Sequence, residues 1–280
     1  MNKVQKKTNN AIAAVDESMF MADAQTQSGL ENVSSADDLA LPFLKVLSQL
    51  SPQCNKTSNN YVENAEPGMI YNTVSGTLFD GEQGIDVIPC HYKREFIEWG
   101  ERGKGSGAPV AVHDADYDIS QAPRDANFQN RLPNGNVIDE TANHYVLVVG
   151  EDGYEQALIT MKATQRKVSR KWNSMMLGIK MQGKEGPFTP PSYSHIYKLR
   201  TVPQSNAKGT WFGWDIQKVG PVQDKGTYDA AKLFSHGVSK NTVKVSHEEE
   251  TQTASSSSYY NKGGFGRPFY IKGQNGHREI

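Results

Sequence analysis

Seven histidines, His91, His113, His144, His195, His236, His247 and His277, are the residues best able to ligate a metal or move a proton near neutral pH. None forms an H-x-H or H-x3-H pair, so no two are presented together by one strand or one helical turn. Cys54 and Cys90 fit a reducing compartment, cannot build a Cys-rich zinc site, and form no C-x-x-C pair. The run DADYD, residues 114–118, starts like a calcium loop. Ile119 then stands where the sharp turn needs glycine, and Asp125 where a bidentate glutamate belongs. A metal-dependent nuclease site on these acids would need further carboxylates from strands that are short of them. The stretch GERGKGSGAP, residues 100–109, invites a phosphate loop, but G-x4-G-K-[ST] is missing and the stretch follows a strand without opening a helix. No G-x-S-x-G elbow and no dinucleotide fingerprint occur. These patterns disfavour an enzyme: no catalytic residue, metal or cofactor is expected.

What remains is aromatic side chains interleaved with bases. Tyr92, Lys93, Arg94, Phe96 and Trp99 share one run. From residue 192, strand alternation puts Tyr193, His195, Tyr197 and Leu199 on one face and Ile196, Lys198 and Arg200 on the other. Trp211, Phe212 and Trp214 follow. Unpaired nucleobases stack on such rings while Lys and Arg track phosphates. The competing assignment is that these rings are core. Trp211 and Trp214, three positions apart, face opposite ways unless a bulge intervenes near Gly213. Between residues 162 and 208 there are ten bases and one acid, Glu185. Such a segment is the electrostatic footprint of a polyanion binder, or else a solvated helix face. The candidate nucleic-acid contacts are Tyr193, Tyr197, Trp211 and Trp214 for stacking, and Arg166, Lys167, Arg170, Lys171, Lys198, Arg200 and Lys208 for phosphates. Arg102 and Lys104, at the tip of the glycine-rich loop, could close over a backbone.

The elements that position these residues are mostly strands. The 280 residues carry a net charge of −1 with a mean hydropathy of −0.64, which excludes a uniformly basic binder and predicts a modest core with polar tails. No apolar run approaches the roughly 18 residues of a membrane span, and no secretory h-region follows the basic start. Residues 1–38, acidic and small-residue rich, are expected to be a disordered tail, residues 39–234 the folded domain, and residues 235–280 a low-complexity disordered tail. Strand patterns lie at residues 85–99, 144–149, 154–161, 192–202 and 210–219, with an extra edge strand at 68–74. The turn at residues 150–153 and the connector at 203–209 mark two hairpins. Between them, Val168, Trp172, Met175, Met176 and Ile179 fall on one stripe of a helix, with Arg166, Lys167, Arg170 and Lys171 opposite and a stop near Gly178 or Gly183. The order strand, strand, strand, helix, strand, strand predicts a mainly β protein. Its expected form is an OB-fold-like five-stranded barrel, with one helix between the third and fourth strands. A sandwich with one crossover helix gives the same string.

The stretches LPFLKVLSQLSP, PGMIYNTVSG, GIDVIPCHYKREFIEW, TQRKVSRKWNSMM, GPFTPPSYSHIYKLRTVP and GTWFGWDIQKVGPV resemble a family of tailed-phage proteins described as single-stranded DNA-binding, over residues 39–234. The resemblance implies an OB-like fold, cooperative coating of replicating phage DNA in the host cytoplasm, and no catalysis. It transfers no contact residue. The tail departs from the pattern of OB-type replication proteins: Glu248–Glu250 are internal and the chain ends GQNGHREI. Single-stranded DNA is the expected partner, with homo-oligomerisation or cooperative self-association on it and no membrane. The alternatives are a phage regulatory protein that contacts host polymerase or replication machinery through its tails, and a virion structural protein.

Overall fold

The computed structural model describes Gly29 and residues 39–100, 108–151, 153–206, 209–243 and 245. Arg102, Lys104 and Lys208, the expected N-terminal tail apart from Gly29, and residues 244 and 246–280 of the expected C-terminal tail lie outside the described residues. The protein is mainly β. Its spine is a ladder between β4 (Ile85–Trp99) and β7 (Val137–Gly150), paired from Asp86↔Val149 to Trp99↔Val137. In β4, Ile85 and Val87 point to one apolar cluster while Ile88 and Cys90 point to another on the opposite face. Burial on both faces explains why this run is apolar at consecutive positions. Pro89, which lacks an N–H, sits at the register shift between Pro89 and His91, where the ladder is already interrupted.

Around this spine the strands run β12 (Gly209–Pro221), β11 (His195–Asn206), β4, β7, all antiparallel, and β8 (Gly153–Lys162) pairs the other edge of β7 through the Gly150–Gly153 turn. At the far end of the ladder β5 (Ala111–His113) pairs β4 and β6 (Asn130–Arg131) pairs β7. A separate sheet, β1 (Leu44–Val46), β2 (Ile70–Asn72) and β3 (Leu78–Phe79), lies toward the N-terminus. A lone hairpin, β9 (Met181–Gly183) with β10 (Gly186–Phe188), precedes β11 in the chain.

Two helices cover the two faces. The amphipathic stripe forms α1 (Arg166–Leu177), ended by Gly178; Trp172 is fully buried, stacked on His144 at 4.5 Å and edge-on to Tyr197 at 5.7 Å. Ile179, which shares the stripe by spacing, falls beyond the helix end. The second helix, α2 (Lys225–Ser239), packs Ala231, Phe234 and Val238 on the opposite face, against Ile88, Tyr145, Leu147 and Leu158. Its N-cap is Asp224, whose carboxylate accepts from Thr227 N. Within the folded domain the sequence pattern predicts only one helix, and α2 crosses residue 234, the expected domain end, before it stops.

The expected closed barrel is not formed. Closure would require β8 to pair with β12, and among the described residues it does not. The N-terminal segment is in the way: Leu158 N donates to Pro42 O at 2.8 Å and Phe43 bridges Leu158 in parallel, so the free edge of β8 is taken. The small sheet is anchored on the other side by Thr201, whose N–H donates to Gly81 O and whose hydroxyl donates to Gly68 O. The first turn of α1 spans the same opening. Gln165 Oε1 accepts from Trp214 N at 3.0 Å, and Arg166 is ion-paired with Glu140 on β7. Among the described residues no helix is long and apolar enough to cross a membrane.

Candidate nucleic-acid interface

The structure divides the expected stacking residues. Tyr197 is fully buried and Trp214 is 5% exposed, both in the cluster beneath α1, so neither ring can meet a base. Tyr193 is in a 3-10 turn (Ser192–Ser194), ahead of the strand that begins at His195, so strand alternation does not reach it. Simple alternation therefore fails: Tyr193 packs on the α2 side, edge-on to Tyr228 at 5.4 Å, and Tyr197 on the α1 side. No shift occurs at Gly213, so Trp211 faces away from Trp214, half-buried, with Nε1 donating to Gln204 Oε1 at 3.0 Å.

The phosphate candidates fall into two groups. Lys198 and Arg200 share the outer face of β11 with Trp211 of β12, as alternation predicts, but acids accompany them. Lys198 Nζ lies 2.9 Å from Asp86 Oδ1, and Arg200 stands directly across from Asp215. That face is close to neutral. On α1, Arg166 is engaged by Glu140, which also pairs with Arg94 at 3.5 Å. Lys167, Arg170 and Lys171 are exposed, and none has an ion-pair partner among the described residues. No acid occupies the first turn of α1, so these cations add to the positive end of the helix dipole instead of offsetting it.

Past the helix the positive charge continues. Lys180 and Lys184 are exposed and flank or cap the β9–β10 hairpin, and Glu185 is the only acid between residues 163 and 191. Leu177, Met181 and Phe188 are exposed here, by 69%, 41% and 47%. This hairpin is too short for strand periodicity to mark it. Its one local signal is the run MQGKEGPF, in which two glycines bracket a two-residue turn.

Other polar groups do not assemble chemistry. His144 Nε2 lies 2.8 Å from Ser169 Oγ, a distance suited to a nucleophile and its base. Both are buried, His144 Nδ1 has no hydrogen-bond partner, and desolvation pushes the imidazole pKa down to about 3. At the far end of the β4–β7 ladder, Glu98 accepts from Asn136 Nδ2 at 2.5 Å and contacts His113 Nε2 at 3.1 Å; these hydrogen bonds hold its carboxyl below the usual range. Among the described residues no group of three His, Cys, Asp or Glu could hold a metal ion.

An open antiparallel sheet with a helix on each face, and a cationic helix surface continued by an exposed hairpin, is the architecture against which the comparisons stand. The family model described as Pam3 phage gp34-like protein matches residues 6–244, and the chain belongs to that family: it is a bacteriophage protein. No curated protein and no solved structure matches it.

Proposed function

We propose that this phage protein is a non-enzymatic, sequence-tolerant single-stranded DNA-binding protein acting in DNA replication or recombination. The observation that carries the proposal is the set of exposed cations Lys167, Arg170 and Lys171 on α1, without ion-pair partners among the described residues and continued by Lys180 and Lys184. Uncompensated charge of one sign on one surface raises the local concentration of a polyanion. The strand order supports an OB-like reading. Counted along the chain, the long strands lie fifth, fourth, first, second, third, as in an OB barrel cut between its third and fifth strands, and α1 follows the third.

The test is titration with labelled oligo-dT at two salt concentrations, with the parent and with Lys167, Arg170 and Lys171 replaced by Ala. Alanine suits a helix surface, so folding should be intact. The triple variant should bind more weakly and flatten the plot of log K against log salt by roughly 0.7 for each phosphate it no longer neutralises. An unchanged slope excludes this face of α1. No binding by the parent at low salt overturns the proposal in favour of a regulatory protein that works through protein contacts.

A further inference from the structure

Resting on the single-stranded DNA reading, we propose that the β9–β10 hairpin is a nucleobase-stacking site, with Phe188 as the ring on which an unpaired base lies and Met181 beside it. Phe188 and Met181 are directly opposed across the hairpin and therefore project from the same face. Gly183, paired with Gly186, lies diagonally on that face. A Cβ at Gly183 would come within 3.2 Å of Phe188 Cδ1, so the absence of a side chain there lets the ring lie against the strand. Phe188 is thereby positioned against backbone while 47% of it stays in solvent.

These apolar groups do not serve the core. None of residues 181–188 belongs to the clusters under the two helices, or to a third around Phe96, Ala122 and Ile138, or packs against them, and among the described residues the hairpin pairs with no other strand. A two-stranded hairpin with an exposed Phe and Met would ordinarily lose them to polar residues, because nothing stabilises them there.

Charge complementarity names the occupant. On α1 the exposed positions 167, 170, 171, 174 and 177 form one stripe, cationic at the start and ending at Leu177; Met181 follows four residues on. Lys180, whose Nζ donates to Thr189 Oγ1 at 2.5 Å, and Lys184, which shares the hairpin turn with the one acid Glu185, join the α1 cations in giving this surface a net positive charge. An apolar ring set among cations suits a chain that presents phosphates and flat bases together, which is single-stranded nucleic acid. Duplex DNA keeps its bases stacked internally and offers this site phosphates only.

Phe188→Ala should therefore weaken oligo-dT binding by roughly tenfold while leaving the salt slope unchanged, since every cation that neutralises a phosphate is still in place. It should leave binding to a duplex of the same length unaltered, and thermal melting should match the parent. Phe188→Trp should retain affinity and add an emission that oligo-dT quenches. If the parent binds oligo-dT and Phe188→Ala binds it equally well, the stacking site is wrong while the DNA-binding function stands. If the parent fails to bind, both fall. If Phe188→Ala changes the oligomeric state of the free protein and not its affinity, the face is an interface between copies of this chain, and the stacking site is overturned.

Discussion

A fully buried imidazole stacked on an indole makes His144 the residue where solution conditions should be felt most. Its pKa in the fold, about 3, lies below the 6.5 of an exposed histidine, and the cause is desolvation. The unfolded chain therefore takes up a proton below pH 6.5 while the folded chain refuses it. The stabilising difference is fully present above pH 6.5 and is lost, at up to about 1.4 kcal/mol per pH unit, as pH falls toward 3. Burial also lowers the pKa of His91 and His195, in the same direction, whereas burial raises that of Glu95 and opposes the trend. Urea midpoints at pH 7.5 and pH 5 should differ, the acid one being lower. Equal midpoints would mean that His144 is solvated and that Trp172 does not seal it.

At the scale of elements, the N-terminal small sheet is held on β11 by close backbone approach. A Cβ at Gly81 would sit on the Gly68 carbonyl and the Thr201 hydroxyl, whereas one at Gly76 meets open space. Gly81→Ala should thus lower stability by on the order of 3 kcal/mol, a clash with backbone that cannot relax locally. Gly76→Ala, at φ +74°, should cost only about 1–2 kcal/mol for the left-handed conformation. Matching urea midpoints for the two variants would show that the small sheet does not dock on Thr201. The same sheet, through Pro42 and Phe43 on β8, keeps the long strands from closing into a ring.

At the scale of the molecule, one sheet separates two cores. Ile216 lies in the cluster under α1 and Val238 in the cluster under α2, with no residue common to both clusters. Ile216→Val should cost about 0.5–1.5 kcal/mol. Combined with Val238→Ala, the loss should equal the sum of the single losses within about 0.5 kcal/mol. A coupling well beyond that would mean that strain passes through the sheet from face to face. Charge is organised at this scale too: a net −1 conceals a surface of α1 where Lys167, Arg170 and Lys171 stand without an ion-pair partner among the described residues.

Much of the frame is legible from residues alone. The long run at 85–99, the hairpin turn at Gly150–Gly153 and the helix through Trp172 are local patterns, set by side-chain periodicity and turn chemistry within a few residues. The buried residues of α2, Ala231, Phe234 and Val238, do stand at the helical spacing i, i+3 and i+7, but Gly226, Gly237 and the exposed Leu233 dilute the pattern, and it runs across residue 234, the expected domain end. Composition and spacing also establish the cationic stretch and the shortage of catalytic patterns. Which cations stay free is not legible. Glu140, Asp86 and Asp215 reach Arg166, Lys198 and Arg200, or stand opposite them, only once distant strands pair. Nor can alternation assign the rings, because Tyr193 stands in the 3-10 turn ahead of β11, not in the strand, and so packs on the α2 side while Tyr197 packs on the α1 side. Local periodicity is a property of the chain, but exposure and charge neutralisation depend on neighbours far apart in sequence, and the tertiary structure alone brings those together.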